Sequence, residues 1–444
     1  QISSAFLPDE KIRIQAEARF FRGYMYEILA DVYGGVPLVL EETTQPKRDY
    51  VRVSREETYQ QARDDLKFAA ENLPDIKDVP DYMVNNLVAS HMLAVVYLSL
   101  EQWDNAINSA SIVIDNPNMA LMTERFGSRV NDTYNPLYPW ASGGDPYWDL
   151  FRIDNQNRSS GNRETLWAIQ FKYNVPGGMN GGYGFEQTQC PRTWQLKVKN
   201  KNGKSVNLLP YPNTYYGGKG TGAMKISDYY YEYVWKRSGY DQDIRNSSYN
   251  IIRDVTVPNP ESDYYGKWLF KDKVPLAKYD EYRDWFPIVA KAACMGDHPL
   301  DVWVEDQTVY GSILTAGGVI AIKQANIYEA RLAETYLIRA EAYWRKGENQ
   351  SAADDINIVR RRSKAPDVSA ENVDIDYILD ERARELMFEE NRARTLQRLN
   401  LLVERNNKYN PEFNYYPHQN LWPIPYSEIE KNTEAELTQN PGYK

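Results

Sequence analysis

The chain is poor in the residues that usually announce an enzyme. Its 444 residues include only two cysteines, Cys190 and Cys294, and three histidines, His91, His298 and His418. Two cysteines permit one disulfide at most. Neither they nor the scattered histidines fall into a metal-ligand spacing or a Ser-His-Asp arrangement, so no metal, cofactor or catalytic residue is expected. A phosphate-cradling GxxxxGK[ST] loop is also missing. Positive charge is in deficit: 52 Lys and Arg against 62 Asp and Glu leave a net charge of -10. That balance argues against nucleic acid, which needs clustered cations. No apolar run reaches the ~18 residues of a membrane-spanning helix. A helical pattern begins almost at Gln1 with no targeting segment before it, as expected of a mature or trimmed form.

What the chain has in excess is aromatic: 35 Tyr and 11 Trp, more than a core needs. Both side chains join a flat apolar face to a polar handle, which suits wet binding surfaces. The Trp are unevenly placed. Residues 131–310 contain 8 of the 11 but only 19 of the 35 Tyr, so Trp is the better pointer to function.

The two ends of the chain read as helix. Residues 11–33 put Ala18, Phe21, Met25 and Leu29 on one apolar face, and Gly34, Gly35 and Pro37 end the helix. Ser54 with Glu57 is a capping box that opens a second helix to about Asn72. Two further helices are expected within 82–116. There Ala94, Tyr97 and Ala106 recur, at identical spacing, as Ala340, Tyr343 and Ala352. Small-then-large packing across a helical hairpin is the core of a tetratricopeptide-like repeat, although Arg339 interrupts the apolar pattern of the second copy. Helix is expected to return at about Asn326, and a charged helix to span roughly 374–404. On it Glu381, Arg384, Glu385, Glu389 and Arg392 alternate in sign, as a solvated or domain-tying lattice of ion pairs would.

The middle of the chain loses helical periodicity. Segments such as PGGMNGGYG (176–184) and YPNTYYGGKGTG (211–222) read as long ordered loops with short strands. The expected class is mainly α: a tetratricopeptide-like helical-repeat scaffold with an irregular loop-rich lobe. Its parts are an amino-terminal helical part (1–130), an aromatic-rich lobe (131–320) and a carboxy-terminal helical part with tail (321–444), the two helical parts packing as one scaffold.

Three blocks carry a family resemblance. They are AEARFFRGYMYEILADVYGGVPLV (16–39), RLAETYLIRAEAYWRKG (331–347) with INIVRRRSKAP and ERARELMFEENR (381–392), and NLWPIPYSEIEKNTEAELTQNPGY (420–443). Weaker echoes are YWDLFRIDNQNR (147–158), RETLWAIQF (163–171) and DQDIRNSSYNIIRD (241–254). In this order the blocks resemble the SusD/RagB family of outer-membrane glycan-binding lipoproteins. Glu390 stands where that family usually has Gly, and Thr395 where it usually has Asp. The resemblance implies four helical repeats forming one wall, and an irregular lobe that holds an oligosaccharide or polysaccharide. It also implies a SusC-like TonB-dependent transporter as partner. The implied location is the outer-membrane surface, with a lipid anchor on an amino-terminal portion outside this sequence. A peptide receptor of the same family and a helical-repeat interaction scaffold are the alternatives.

A sugar ring offers C–H patches to aromatic faces and hydroxyls to polar side chains. Rings in loop-like sequence beside Gly, Pro or charge are therefore the candidate platforms: Tyr183, Trp194, Tyr215, Tyr216, Trp268, Trp285 and Trp303. Trp148, Phe151, Trp167 and the Tyr229–Trp235 cluster are expected to pack. A glycosidase, the main rival, needs two carboxylates about 5–10 Å apart. No recognised motif supplies such a pair.

Overall fold

The computed structural model describes residues 7–178, 184–305, 307–314, 325–410 and 412–443. Helix α1 (Pro8–Tyr33) lies along α2 (Arg55–Asn72), and α3 (Asn86–Ser99) pairs with α4 (Trp103–Ile114). The capping box forms as the sequence predicts: Ser54 Oγ accepts from the Glu57 amide at 3.1 Å, and Glu57 accepts from the Ser54 amide at 2.8 Å.

The buried face of α1 is not the predicted one. Phe21 and Met25 are 45% and 46% exposed, and Ala18 is exposed as well. Ala16, Phe20, Gly23 and Ala30 face inward instead, with Tyr26, Glu27 and Asp31. The reason is a close crossing. A Cβ on Gly23 would lie 3.0 Å from both the Ala62 carbonyl oxygen and Leu66 Cγ, so α2 can approach only where α1 has glycine. Glu27 and Asp31 add a polar requirement, because Arg394 reaches both, at 3.5 and 3.6 Å.

After α4 the chain turns irregular: α5 (Pro146–Asp149), β1 (Thr165–Ile169), α6 (Phe185–Gln189), β2 (Lys197–Lys199), β3 (Ser205–Asn207), α7 (Val234–Lys236), β4 (Ile251–Ile252) and β5 (Ile288–Val289). The strands form only two-stranded antiparallel pairs, β2 with β3 and β4 with β5. Helix does not return at Asn326. Residues Ile327–Arg331 form β6, antiparallel to β1, because Tyr328 and Ala330 alternate inward at the strand period. Helices α8 (Leu332–Lys346) and α9 (Asn349–Arg362) then make the next hairpin.

Helix α4 packs directly on α8. The two copies of the Ala/Tyr/Ala spacing, far apart in sequence, are thus neighbours in one stack, and all four alanines are fully buried. Arg339, the residue out of pattern, bridges the copies. Its guanidinium forks onto Asp355 of α9 at 2.8 and 2.7 Å and donates to Ser111 Oγ of α4 at 2.9 Å.

The predicted charged helix breaks into α10 (Ile375–Leu386), α11 (Arg392–Arg398) and α12 (Leu402–Tyr409), and α13 (Tyr426–Lys431) follows in the tail. Phe388 takes a left-handed φ of 65°, and Lys291 Nζ donates to the Glu385 and Met387 carbonyls at 2.6 and 3.2 Å. An ammonium satisfying the last carbonyls is a good helix stop. Burial pulls this lysine down to about 8, opposed by Glu389.

The face of α10 is buried, not solvated. Glu385 accepts from Arg331 Nη1 at 2.8 Å, from Arg245 Nη1 at 3.0 Å and from Arg362. Glu381 accepts from Arg245 at 2.7 Å, Arg360 at 2.9 Å and Arg384 at 2.7 Å. Glu164, just before β1, closes the set with Arg331 at 2.6 Å and Arg362 at 2.8 Å. Burial alone would raise the Glu381 and Glu385 carboxyls, yet the guanidiniums around them hold both below the ordinary carboxylate range.

The two departures from the family pattern meet each other. Thr395 Oγ1 donates to Glu390 Oε1 at 2.8 Å, and the same oxygen accepts from Arg382 Nε at 2.5 Å. The Glu390 carboxylate thus stands beside position 395.

Glu385→Gln removes the charge shared by three guanidiniums, and we expect it to cost about 3–5 kcal/mol of unfolding free energy at pH 7. Because the folded carboxyl titrates low, this contribution is complete above the unfolded value of about 4.3 and fades as the pH falls below it. The gap between wild type and variant in urea midpoint should therefore narrow on acidification; an equal gap at low and neutral pH counts against the lattice. At the 390–395 pair, Glu390→Gly and Thr395→Asp should each destabilise when made alone. Combined they should recover stability, read as a coupling of about 1–3 kcal/mol in a double-mutant cycle.

Candidate functional site

The middle segment builds a continuous array of rings. Tyr138 and Trp140 lie in a tight turn, where the Tyr138 amide donates to the Asn135 carbonyl at 3.0 Å. Tyr215 and Tyr216 sit on a 3₁₀ turn capped by Asn213, whose side chain accepts from the Tyr215 amide at 2.9 Å. Trp303 and Tyr310 stand on a small hairpin in which the Val304 amide donates to Ser312 at 2.9 Å and the Leu314 amide to Val302 at 2.8 Å. From inside outward, Trp268 tilts against Trp140 at 5.9 Å, and Trp140 meets Tyr216 edge-on at 5.1 Å. Tyr138 stacks on Tyr215 at 4.6 Å, and Tyr215 on Tyr310 at 5.9 Å. Trp303 closes the array edge-on to Tyr310 at 5.5 Å.

The Tyr310 end is the more open. Tyr310 is 50% exposed and Trp303 half-buried, with Leu300 and Leu314 exposed on the same hairpin. The Tyr310 backbone is pinned, since its carbonyl accepts from Tyr138 Oη at 2.6 Å and from Asn213 Nδ2 at 2.8 Å. Gly311 is required here: its φ is +82°, and a Cβ would lie 2.7 Å from the Tyr215 ring. Residues 308 and 309, directly before Tyr310, line a cleft of about 410 Å³ together with Lys204, Asn207, Asn259 and Glu261. An exposed ring beside a cleft edged with amides and charge can hold an apolar face and hydroxyls at once. Burial raises the phenols of Tyr138 and Tyr215 above the ordinary tyrosine value.

Four of the seven rings singled out in the sequence belong to this array, in different roles. Trp303 reaches the open end. Tyr215 stacks with both Tyr138 and Tyr310, which also touch each other at 6.2 Å, and Tyr216 is fully buried with its hydroxyl donating to the Thr256 carbonyl at 3.0 Å. Both are buried. Trp268 is half-buried at the base. Trp194 and Trp285 lie apart, with no ring contact to the array among the described residues. Trp194 Nε1 donates to the Gly220 carbonyl at 2.9 Å, and Trp285 leans on Phe270 at 5.0 Å. Arg192 ties their loops together, its amide donating to the Arg283 carbonyl at 2.8 Å and its Nε to Asp284 at 2.8 Å. Tyr282, next to Arg283 on one of these loops, is exposed. Tyr183 lies outside the described residues. Tyr138, Trp140 and Tyr310 were missed, although YPW (138–140) and Tyr310–Gly311 carry the same ring-beside-Pro-or-Gly signal.

Trp148, Phe151 and Trp167 are buried, as expected of packing rings. Both cysteines are buried. No helix among the described residues is long and apolar enough to cross a membrane.

Comparison with known proteins bears on both ends of the chain. Residues 1–98 match a family model described as "Starch-binding associating with outer membrane", and residues 316–443 match the model of the SusD family. The starch-binding protein SusD of Bacteroides thetaiotaomicron is 36% identical over 125 residues, 26% of this chain. That match spans about a fifth (21%) of the relative's own length. Among solved structures, a laminarin binding SusD-like protein aligns over 99% of this chain and 80% of its own, with TM-score 0.63 and 20% identity. Surface glycan-binding protein A from Bacteroides fluxus aligns over 99% and 80%, with TM-score 0.62 and 18% identity. At such identities the structures speak for the fold: helix-rich, with few short strands. Matches to the two models at opposite ends of the chain, a local sequence relative and a fold shared over nearly the whole length agree, and the chain belongs to the SusD/RagB family.

Proposed function

We propose that this protein is a surface receptor that captures oligosaccharides at the open end of its aromatic array and passes them to a SusC-like TonB-dependent transporter. In this reading the lobe of residues 131–320 holds the ligand, and the parts at 1–130 and 321–444 form the scaffold. The protein works at the outer-membrane surface, held by a lipid on an amino-terminal portion outside this sequence, and catalyses nothing. The family supports the setting, since one of its models is described as outer-membrane-associated and starch-binding. Relatives named for starch, laminarin and glycan binding support a saccharide ligand.

The observation that carries the reading is the asymmetry of the array. Five rings are committed to one another, and their stack ends in a ring half open to solvent on a pinned backbone. Preorganised rings lose little entropy when a ligand docks, so modest contacts become useful affinity. Trp194 and Trp285 form a second patch that can extend the contact along a longer chain. Several weak subsites suit a polymer that must be held and then released.

The test is affinity electrophoresis in gels containing α- or β-linked glucan, with a peptide library as the other arm. Tyr310→Ala and Trp303→Ala should each weaken retardation about 3- to 10-fold, from ~1 kcal/mol per lost ring contact, with little change in melting temperature. Tyr216→Phe should do the opposite: it removes one buried hydrogen bond at a cost of about 1 kcal/mol and leaves retardation unchanged. Retardation indifferent to both surface rings, or binding confined to peptides, would refute the saccharide site.

A further inference from the structure

Beneath the array lies a cluster that its packing role does not explain. Glu186 on α6, Cys294 and His298 converge from separate segments, their ligand-type atoms all within 4.8 Å of one another and all three residues buried. His298 Nε2 and Glu186 Oε2 are 3.2 Å apart. Even so, neither oxygen of Glu186 nor Nε2 makes a hydrogen bond of acceptable geometry. Three buried polar atoms thus lie close together without a well-aligned hydrogen bond, which favours a further partner among them. Buried carboxylates on α10 are met by guanidiniums; Glu186 has only His298 as a charged partner among the described residues.

The Gly218 backbone packs close against the pair. Gly218 has φ +57°, and a Cβ there would lie 2.4 Å from Glu186 Oε1 and 3.2 Å from His298 Cε1. The other imidazole nitrogen is occupied, with Nδ1 2.8 Å from Thr214 Oγ1. A ring that gives its Nδ1–H to a hydroxyl presents the Nε2 lone pair to the cluster, the arrangement typical of a metal-bound histidine.

We infer that Glu186, Cys294 and His298 form a zinc site. Thiolate, imidazole and carboxylate together suit a borderline-soft divalent ion and poorly suit magnesium or calcium. Zinc bonds of about 2.0–2.1 Å to nitrogen and oxygen set a tetrahedral edge of roughly 3.3 Å, close to the spacing of the Nε2 and Oε2 atoms. Three protein ligands leave the fourth position to water. Binding replaces the thiol proton, which leaves to solvent, with a sulfur–zinc bond. The role is structural. Thr214 precedes Tyr215 of the array, the His298 carbonyl accepts from Trp303 Nε1 at 3.1 Å, and a Cβ on Gly296 would lie 2.6 Å from the Tyr215 ring. An ion here ties α6, the 214–218 turn and the 294–298 turn into one footing for the rings.

The full chain, purified without chelator from zinc-supplemented cells, should contain about one zinc per molecule by mass spectrometry. Refolding it in cobalt(II) should give a near-ultraviolet thiolate-to-cobalt band with tetrahedral d–d absorption. Cys294→Ser should abolish the charge-transfer band, His298→Ala should lower the metal content several-fold, and Cys190→Ser should leave the spectrum intact. A wild-type chain that holds neither zinc as purified nor cobalt after refolding overturns the site and leaves a plain imidazole–carboxylate pair. A band that follows Cys190 overturns the ligand assignment. The wild-type spectrum decides even if a variant fails to fold.

Discussion

Carboxylates and guanidiniums are buried together along α10, and their mutual neutralisation fixes how the irregular middle of this molecule sits on its helices. Glu381 and Glu385 come from the helix, while Arg245, Glu164 and Lys291 come from the lobe. An apolar interface of the same size could be equally stable, since a buried ion pair often gains little over well-packed hydrocarbon. It would not be equally particular about orientation. The lobe has no strand longer than five residues among those described, so sheet pairing cannot hold its loops in register. Guanidinium forks can, because each accepts only a narrow range of carboxylate positions. The cost falls on removing any one member, which leaves its neighbours charged and unpaired.

From that lattice a line of direct contacts runs to the open ring. Lys291, held by Glu389 at 2.6 Å, begins a stretch that Arg152 braces by donating to the Ala290 and Cys294 carbonyls at 2.8 and 2.9 Å. Arg129 adds a bond to Asp297 at 2.8 Å. On this stretch stand Gly296 and His298, which receive Thr214, and next to Thr214 is Tyr215, whose ring supports Tyr310. Each step is packing or a hydrogen bond between buried or half-buried groups, so the exposed ring inherits the rigidity of the core. A receptor ring on a free loop would give part of its contact energy back as ordering entropy.

How much of this could be read in the sequence depends on the range of the interaction. The Ser54–Glu57 capping box, the Gly34 stop and the helical hairpin near Ala94 are local, and the structure has them where the residues put them. The sign alternation on α10 was visible, but whether it faced water depended on partners such as Arg245, 136 residues away from Glu381. The inward face of α1 was misread because Gly23 and Glu27 are poor hydrophobes that α2 and Arg394 make into interior residues. The strand at Ile327–Arg331 was hidden for the same reason, since its alternation gains meaning only beside β1. In the site, ring-beside-glycine found part of the array but could not separate open rings from covered ones. The Cys294-x-x-x-His298 spacing carried no motif until α6 brought Glu186 to it.

The contact between α4 and α8 explains why a lobe this irregular is tolerated. With those helices adjacent, the whole middle of the chain is an insertion whose ends are held together by the stack and by β1 against β6. The fastening is repeated: the Leu332 amide donates to the Glu164 carbonyl at 2.8 Å, and the Ala120 amide to the Arg163 carbonyl at 3.1 Å. Closing a loop costs free energy that grows only with the logarithm of its length. Once both ends are fixed, lengthening or rebuilding the insertion adds little to that cost, provided the charged residues that dock on α10 persist. The scaffold therefore constrains Glu164 and Arg245 far more tightly than it constrains the hairpin of Trp303 and Tyr310. The rings can change while the helices and their buried charges stay as they are.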